Sequence, residues 1–184
     1  GRVEDNTLRD VRRLHLNNTD ERVPLLSQVL RLVDGKVPII LELKRGRGYK
    51  RLCAQTLRQI QGYKGVLCIE SFDPFIVRWF KKNAPQIFRG QLMAPFRDLK
   101  RTTIPVAAFA LSHSLTNFLG RPHFIAHGIG KKSLLTRAAE KMGAVRVAWT
   151  ARKEGCEKDN DVVIFEGYKP KVIFELPQRK KKYV

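Results

Sequence analysis

Short apolar, β-branched runs alternate along this chain with segments whose apolar residues recur at helical spacing. The run Val37-Pro38-Ile39-Ile40-Leu41-Glu42-Leu43 predicts a buried strand entered from the turn Asp34-Gly35. Further strands are expected over 66–71, 88–93, 123–127, 145–149 and 162–165. Between them, helical spacing predicts helices over 24–33, over 52–61 with a stop near Gly62, and over 132–141 with a stop at Gly143. Asp73-Pro74 opens one more helix, with Asp as N-cap and Pro at the first helical position, and Ala84-Pro85 ends it. Strand and helix alternating with short connections predict a parallel sheet, either doubly wound or part of a closed barrel. No G-x-G-x-x-G follows a strand and opens a helix, so a dinucleotide site is unsupported and the barrel is the expectation.

Composition limits how much of a barrel there can be. The chain has 184 residues, 43% hydrophobic and 29% charged, enough for one domain. A complete (β/α)8 barrel takes about 250 residues. Charge changes the picture more: 36 Lys and Arg against 17 Asp and Glu give a formal +19, a surface that attracts anionic lipid, phosphorylated substrate or nucleic acid. Nucleic acid is the weakest of these, because the cations are dispersed and no stacking array of aromatics accompanies them. Cys53, Cys68 and Cys156 have no metal-ligand or redox spacing; Cys68, inside an apolar run, is expected to be a buried thiol, and a reducing cytoplasmic location follows. The opening Gly1-Arg2-Val3-Glu4-Asp5 shows no leader-like apolar run. The final 178–184 reads as a solvated basic tail after a domain over 1–177.

In a parallel barrel the functional side chains stand at the C-terminal ends of the strands. There Glu42 and Lys44, two residues apart, share the face of Ile40. A carboxylate and an ammonium at that place serve either as a plain ion pair or as ligands for a cation and an anion, and spacing leaves both open. Glu70 and Phe72 share a face at the second strand end, where Glu70 is either a further acid or a partner of Lys44. Trp149 and Glu166 occupy the ends of the fifth and sixth strands, and His127 lies just past the fourth. The stretch 104–119 is more apolar than an ordinary connection and is bracketed by Arg97, Lys100, Arg101 and Arg121. It reads either as a helix packed outside the barrel or as an element that enters an anionic membrane surface.

These motifs in this order (Val37-Pro38-Ile39-Ile40-Leu41-Glu42-Leu43-Lys44, Glu70-Ser71-Phe72-Asp73-Pro74, Arg89-Gly90-Gln91-Leu92, Arg121-Pro122-His123-Phe124-Ile125-Ala126, Ala148-Trp149-Thr150, Ile164-Phe165-Glu166-Gly167) closely resemble the glycerophosphodiester phosphodiesterases. The resemblance covers nearly the whole chain. It implies a TIM (β/α)8 barrel of which this chain supplies roughly strands 3 to 8. It further implies metal-dependent hydrolysis of a glycerophosphodiester to glycerol 3-phosphate and an alcohol. The family's divalent cation, calcium or magnesium, would take Glu42 as one of three carboxylate ligands. Lys44 would approach the phosphate, and Phe72 and Trp149 would line the mouth, with Glu70 among the substrate contacts.

One departure bears on activity. The family's H-R-G, E-x-D and F-H-D segments fall before the region that this chain matches, and none of His15, His113, His123 or His127 stands at a catalytic position. The expectation is therefore a portion of a longer enzyme that is inactive by itself and does not retain the metal. The alternative is a non-catalytic basic module of the same fold, binding anionic lipid or nucleic acid. His127 is expected to be a surface or packing residue, and the oligomeric state is left open.

Overall fold

The computed structural model describes residues 2–101, 103–156 and 158–170, in two compact units. The 178–184 tail and the end of the domain assigned to 1–177 lie outside the described residues. The first unit runs to Gln91 and takes in Thr116–Pro122; the second holds Leu92–Leu115 and the chain from His123 onward.

In the first unit, helices α1 (Leu8–Val11) and α2 (Leu26–Val33) precede strand β1 (Ile39–Glu42). Asp34, at φ 46°, and Gly35, at φ 73°, make the left-handed exit from α2 that the Asp-Gly pair predicts. Helix α3 (Tyr49–Ile60), strand β2 (Leu67–Ser71), helix α4 (Pro74–Asn83) and strand β3 (Phe88–Met93) follow. The strands β1, β2 and β3 pair in parallel, with Glu42 opposite Glu70 and Glu70 opposite Gly90. The last two residues of β3 belong to the second unit.

Alternation along β1 and β2 sorts their side chains. Leu43 and Ile69 pack with Cys53, Ile76, Phe80 and Ala84 beneath α3 and α4, with Leu41 and Leu67 against the same core. Glu42 and Glu70 take the opposite face. The buried thiol is therefore Cys53; Cys68 shares the face of Glu70 and is only half buried, a correction to its expected place in the core.

The second unit carries helices α5 (Phe96–Leu99) and α6 (Pro105–Ser112). Helix α7 (Asn117–Gly120) belongs to the first unit and packs on α4 so closely that a Cβ on Gly120 would lie 2.6 Å from Val77 Cγ1. The apolar stretch 104–119 is thus two helices rather than one element, broken where Ser114 turns left-handed at φ 61°. Strand β4 (Phe124–Gly128), helix α8 (Leu134–Lys141), strand β5 (Val145–Ala151) and strand β6 (Val162–Phe165) complete the second unit, its strands again parallel and in sequence order. Ser133 caps α8 by accepting from the Thr136 amide at 3.1 Å. Among the described residues of the connection 152–161 between β5 and β6 there is no helix, unusual for a parallel pair. Among the described residues no helix is long and apolar enough to cross a membrane.

Candidate functional site

The C-terminal ends of β1 and β2 bring Glu42, Lys44 and Glu70 together. Neighbouring parallel strands lie about 5 Å apart, so register-matched Glu42 and Glu70 set two carboxyls side by side on one face. Lys44 Nζ stands 3.7 Å from Glu42 Oε2 with its side chain 83% exposed, a contact contributing little to stability. The ammonium thus partners Glu42, not Glu70. Glu70 is 5% exposed, and its Oε2 is buried without a hydrogen-bond partner. Burial, aided by the charge of Glu42, pushes its carboxyl up to about 7. The same surroundings, burial first and then Glu70, push the Cys68 thiol up to about 12, which keeps it protonated and unreactive.

A shell of hydrogen bonds fixes these strand ends. Ser71 Oγ donates to the Leu43 carbonyl at 2.6 Å and accepts from the Asp73 amide at 3.0 Å. Asp73 Oδ1 accepts from the Phe75 amide at 2.9 Å, capping α4 as predicted, while its Oδ2 lies 3.4 Å from Arg45 Nε. Gln91, buried in β3, donates through Nε2 to the carbonyls of Ser71 and Phe72, both at 3.0 Å. Phe72, half buried, follows directly on that bonded carbonyl. Sequence reasoning passed over Ser71, Gln91 and Arg45 as site-forming residues. The signal for Gln91 was a polar side chain in an otherwise apolar strand.

In the second unit Trp149 lies opposite Gly128, and its Nε1 donates to the Ala126 carbonyl at 2.9 Å. A Cβ on Gly128 would stand 3.5 Å from both Trp149 Cζ2 and Pro95 Cδ, an ordinary packing distance, so the Trp149 ring lies close over this strand end. Glu166, after β6, forms an exposed ion pair with Arg152 at 2.9 Å. His127 belongs to β4 itself rather than lying past it, and at 1% exposed it is the packing residue of the two alternatives, not the surface one. It pairs across to Ala148 and lines a cavity of about 600 Å³ with Glu140, Lys132 and Arg146, on the face opposite Trp149. Its Nδ1 lies 2.6 Å from the Gly128 carbonyl, and burial first, then Lys132, holds its pKa below the ordinary value.

Known structures share this architecture. A chain from Silicibacter pomeroyi DSS-3 provisionally named a glycerophosphoryl diester phosphodiesterase superposes with a TM-score of 0.61 at 18% identity, over 78% of this chain and 53% of that one. A chain from Galdieria sulphuraria, provisionally a glycerophosphodiester phosphodiesterase, gives 0.66 at 15% identity, over 89% and 67%. The present chain has the fold of part of a glycerophosphodiester phosphodiesterase. A further structure, an Oleispira antarctica phosphodiesterase in complex with the product sn-glycerol-3-phosphate, gives 0.61 at 15% identity, over 78% and 57%. The chain thus spans 53% to 67% of the length of these phosphodiesterase structures. No protein-family model and no curated protein matches the sequence.

The acid pair can be tested for its fit to the cation that such a phosphodiesterase implies. A buried carboxylate oxygen without a partner, beside a second carboxylate, is stabilised by a cation. Hard divalent cations take about six to eight oxygen ligands. No group of three or more His, Cys, Asp or Glu suited to a metal occurs among the described residues. Glu42 and Glu70 therefore fit as part of a coordination shell and not as the whole of one.

Proposed function

We propose that this chain is the larger part of a glycerophosphodiester phosphodiesterase catalytic domain, roughly strands 3 to 8 of a (β/α)8 barrel. In that reading it contributes to hydrolysis of a glycerophosphodiester to glycerol 3-phosphate and an alcohol. The observation that carries the reading is Glu70: a buried, unpartnered carboxylate register-matched to Glu42 on a phosphodiesterase fold. Glu42 and Glu70 would hold a calcium or magnesium ion, which supplies charge to polarise the phosphoryl group. Lys44, exposed at the same strand end, offsets negative charge on the incoming phosphate while remaining within reach of Glu42. Ser71 and Gln91 position these groups by fixing the ends of β1 and β2. Phe72, at the end of β2, offers apolar surface to the glycerol part.

The reading also holds that this chain alone does not turn over substrate, since its histidines occupy none of the family's catalytic positions. Thermal denaturation at pH 8 with and without millimolar Ca²⁺ or Mg²⁺ tests the acid pair as part of a shell: a cation too weakly held to survive purification still raises Tm when supplied in excess, and Glu42→Gln and Glu70→Gln each abolish the rise. No cation response in the parent sequence removes the metal site. Glycerol 3-phosphate release from glycerophosphocholine by the purified chain is expected to be undetectable; release abolished by His127→Ala would overturn the inactive reading and make the β4 histidine a catalyst.

A further inference from the structure

The helix α6 is apolar on every side, including the side it turns to solvent. Its sequence Pro105-Val106-Ala107-Ala108-Phe109-Ala110-Leu111-Ser112 contains no charge, and the residues it buries are the small ones, Ala108 and Ser112. Two large ones face solvent, Val106 at 78% and Phe109 at 51%, with Ile104 just before the helix at 68%, while Leu111 is half buried. A helix on a water-facing surface normally turns its large apolar residues to the core and its polar residues outward. Phe109 is also held in its outward position, for the His113 ring stacks on it with centroids 4.1 Å apart, and His113 Nδ1 lies 2.9 Å from the Phe109 carbonyl.

The apolar surface extends beyond this helix within the second unit. Helix α5, which packs against α6, exposes Phe96. Past the end of α6, Leu115 is exposed, and the Ser114 and Thr136 hydroxyls, 2.9 Å apart, tie this turn to the start of α8, where Leu134 and Leu135 are exposed. Cations border the patch. Arg97, Lys100 and Arg101 are exposed around α5, and Asp98 is the one acid between Ala94 and Ser112.

We propose that this α5–α6 face seats on an anionic lipid bilayer, with Ile104, Val106 and Phe109 entering the headgroup region and Arg97, Lys100 and Arg101 meeting lipid phosphates. Exposed apolar residues beside cations match the two attractions of an interfacial helix, apolar burial and charge on anionic lipid. The chain's formal +19 favours the same partner over a neutral surface. At eight residues α6 extends only about 12 Å, which suits lying in the interface rather than spanning it. The inference requires no catalysis and stands whether or not the acid pair binds a cation.

Cosedimentation with phosphatidylcholine vesicles, with and without phosphatidylglycerol, tests it. The expected result is binding to the anionic vesicles alone, weakening as salt is raised. Val106→Ser/Phe109→Ser, which leaves the charge untouched, is expected to weaken that binding about tenfold. Leu32→Ser, at an equally exposed apolar residue of the first unit, is expected to leave it unchanged. All substituted residues are exposed, and circular dichroism confirms that the folds match. Equal binding by parent and Val106→Ser/Phe109→Ser overturns the proposal, because overall charge then suffices. Absence of binding overturns it too. So does concentration-dependent self-association that the double variant abolishes while vesicle binding is missing, since the occupant would then be a second copy of the chain.

Discussion

Glu70 shows how one residue links strand register to pH. Its carboxyl titrates near 7 in the folded chain because burial, then Glu42, disfavours its charge. A carboxyl raised in this way binds its proton more tightly in the native state. Its favourable contribution is complete below the ordinary carboxylate pKa and is lost as pH rises through about 7. From the ordinary 4.5 to about 7, the loss is at most about 3 kcal/mol. In buffer containing a chelator, Glu70→Gln is therefore expected to raise Tm at pH 8 and to leave it nearly unchanged at pH 5. A Tm difference that does not vary with pH would show that the carboxylate is not desolvated as the geometry requires.

At the scale of elements, the packing of α7 on α4 turns on a missing side chain. Gly120→Ala puts a Cβ into the fully buried Val77, and overpacking of this kind costs about 1–3 kcal/mol. Val77→Ala alone removes buried methyls and is also destabilising. The double variant is expected to recover part of the sum, so urea denaturation of the single and double variants should show non-additivity. Strictly additive losses would mean that the two helices do not meet at this point. Elements of this kind were unevenly legible in the sequence. The strands of the first unit were clear, because Leu41, Glu42 and Leu43 alternate in polarity and so declare both strand and face. In β4 every residue is buried, so alternation carried no contrast by which to place His127 on the side of α8. The break between α6 and α7 was invisible for a related reason: apolar composition continues through it, and the left-handed Ser114 has no Gly or Asn signature. Glu42, Lys44 and Glu70 could be assigned to one face, but which carboxylate Lys44 would partner depended on reach that spacing does not encode.

Over the whole molecule, +19 on 184 residues implies self-repulsion that compact folding must overcome. Ions screen such repulsion over a Debye length of about 10 Å at 0.1 M salt. Tm is therefore expected to rise between low-salt buffer and moderate NaCl, contrary to the weakening that salt imposes on vesicle binding. A falling Tm would indicate that attractive pairs such as Arg146–Asp161 and Arg152–Glu166 outweigh the net charge. The two opposite salt responses allow folding and surface attraction to be read separately in one preparation.

The Ser71 hydroxyl has a consequence for how the site opens. One oxygen accepts from the amide of Asp73, the α4 cap, and donates to the carbonyl of Leu43, the residue just past β1. The Leu43 amide in turn is held by the carbonyl of Glu70. Loosening either strand end thus releases the first turn of α4, and fraying of that turn frees the strand ends. The acid pair sits on a latch whose parts come undone together, so the ground beneath Glu42 and Glu70 fluctuates as a single cooperative patch rather than residue by residue.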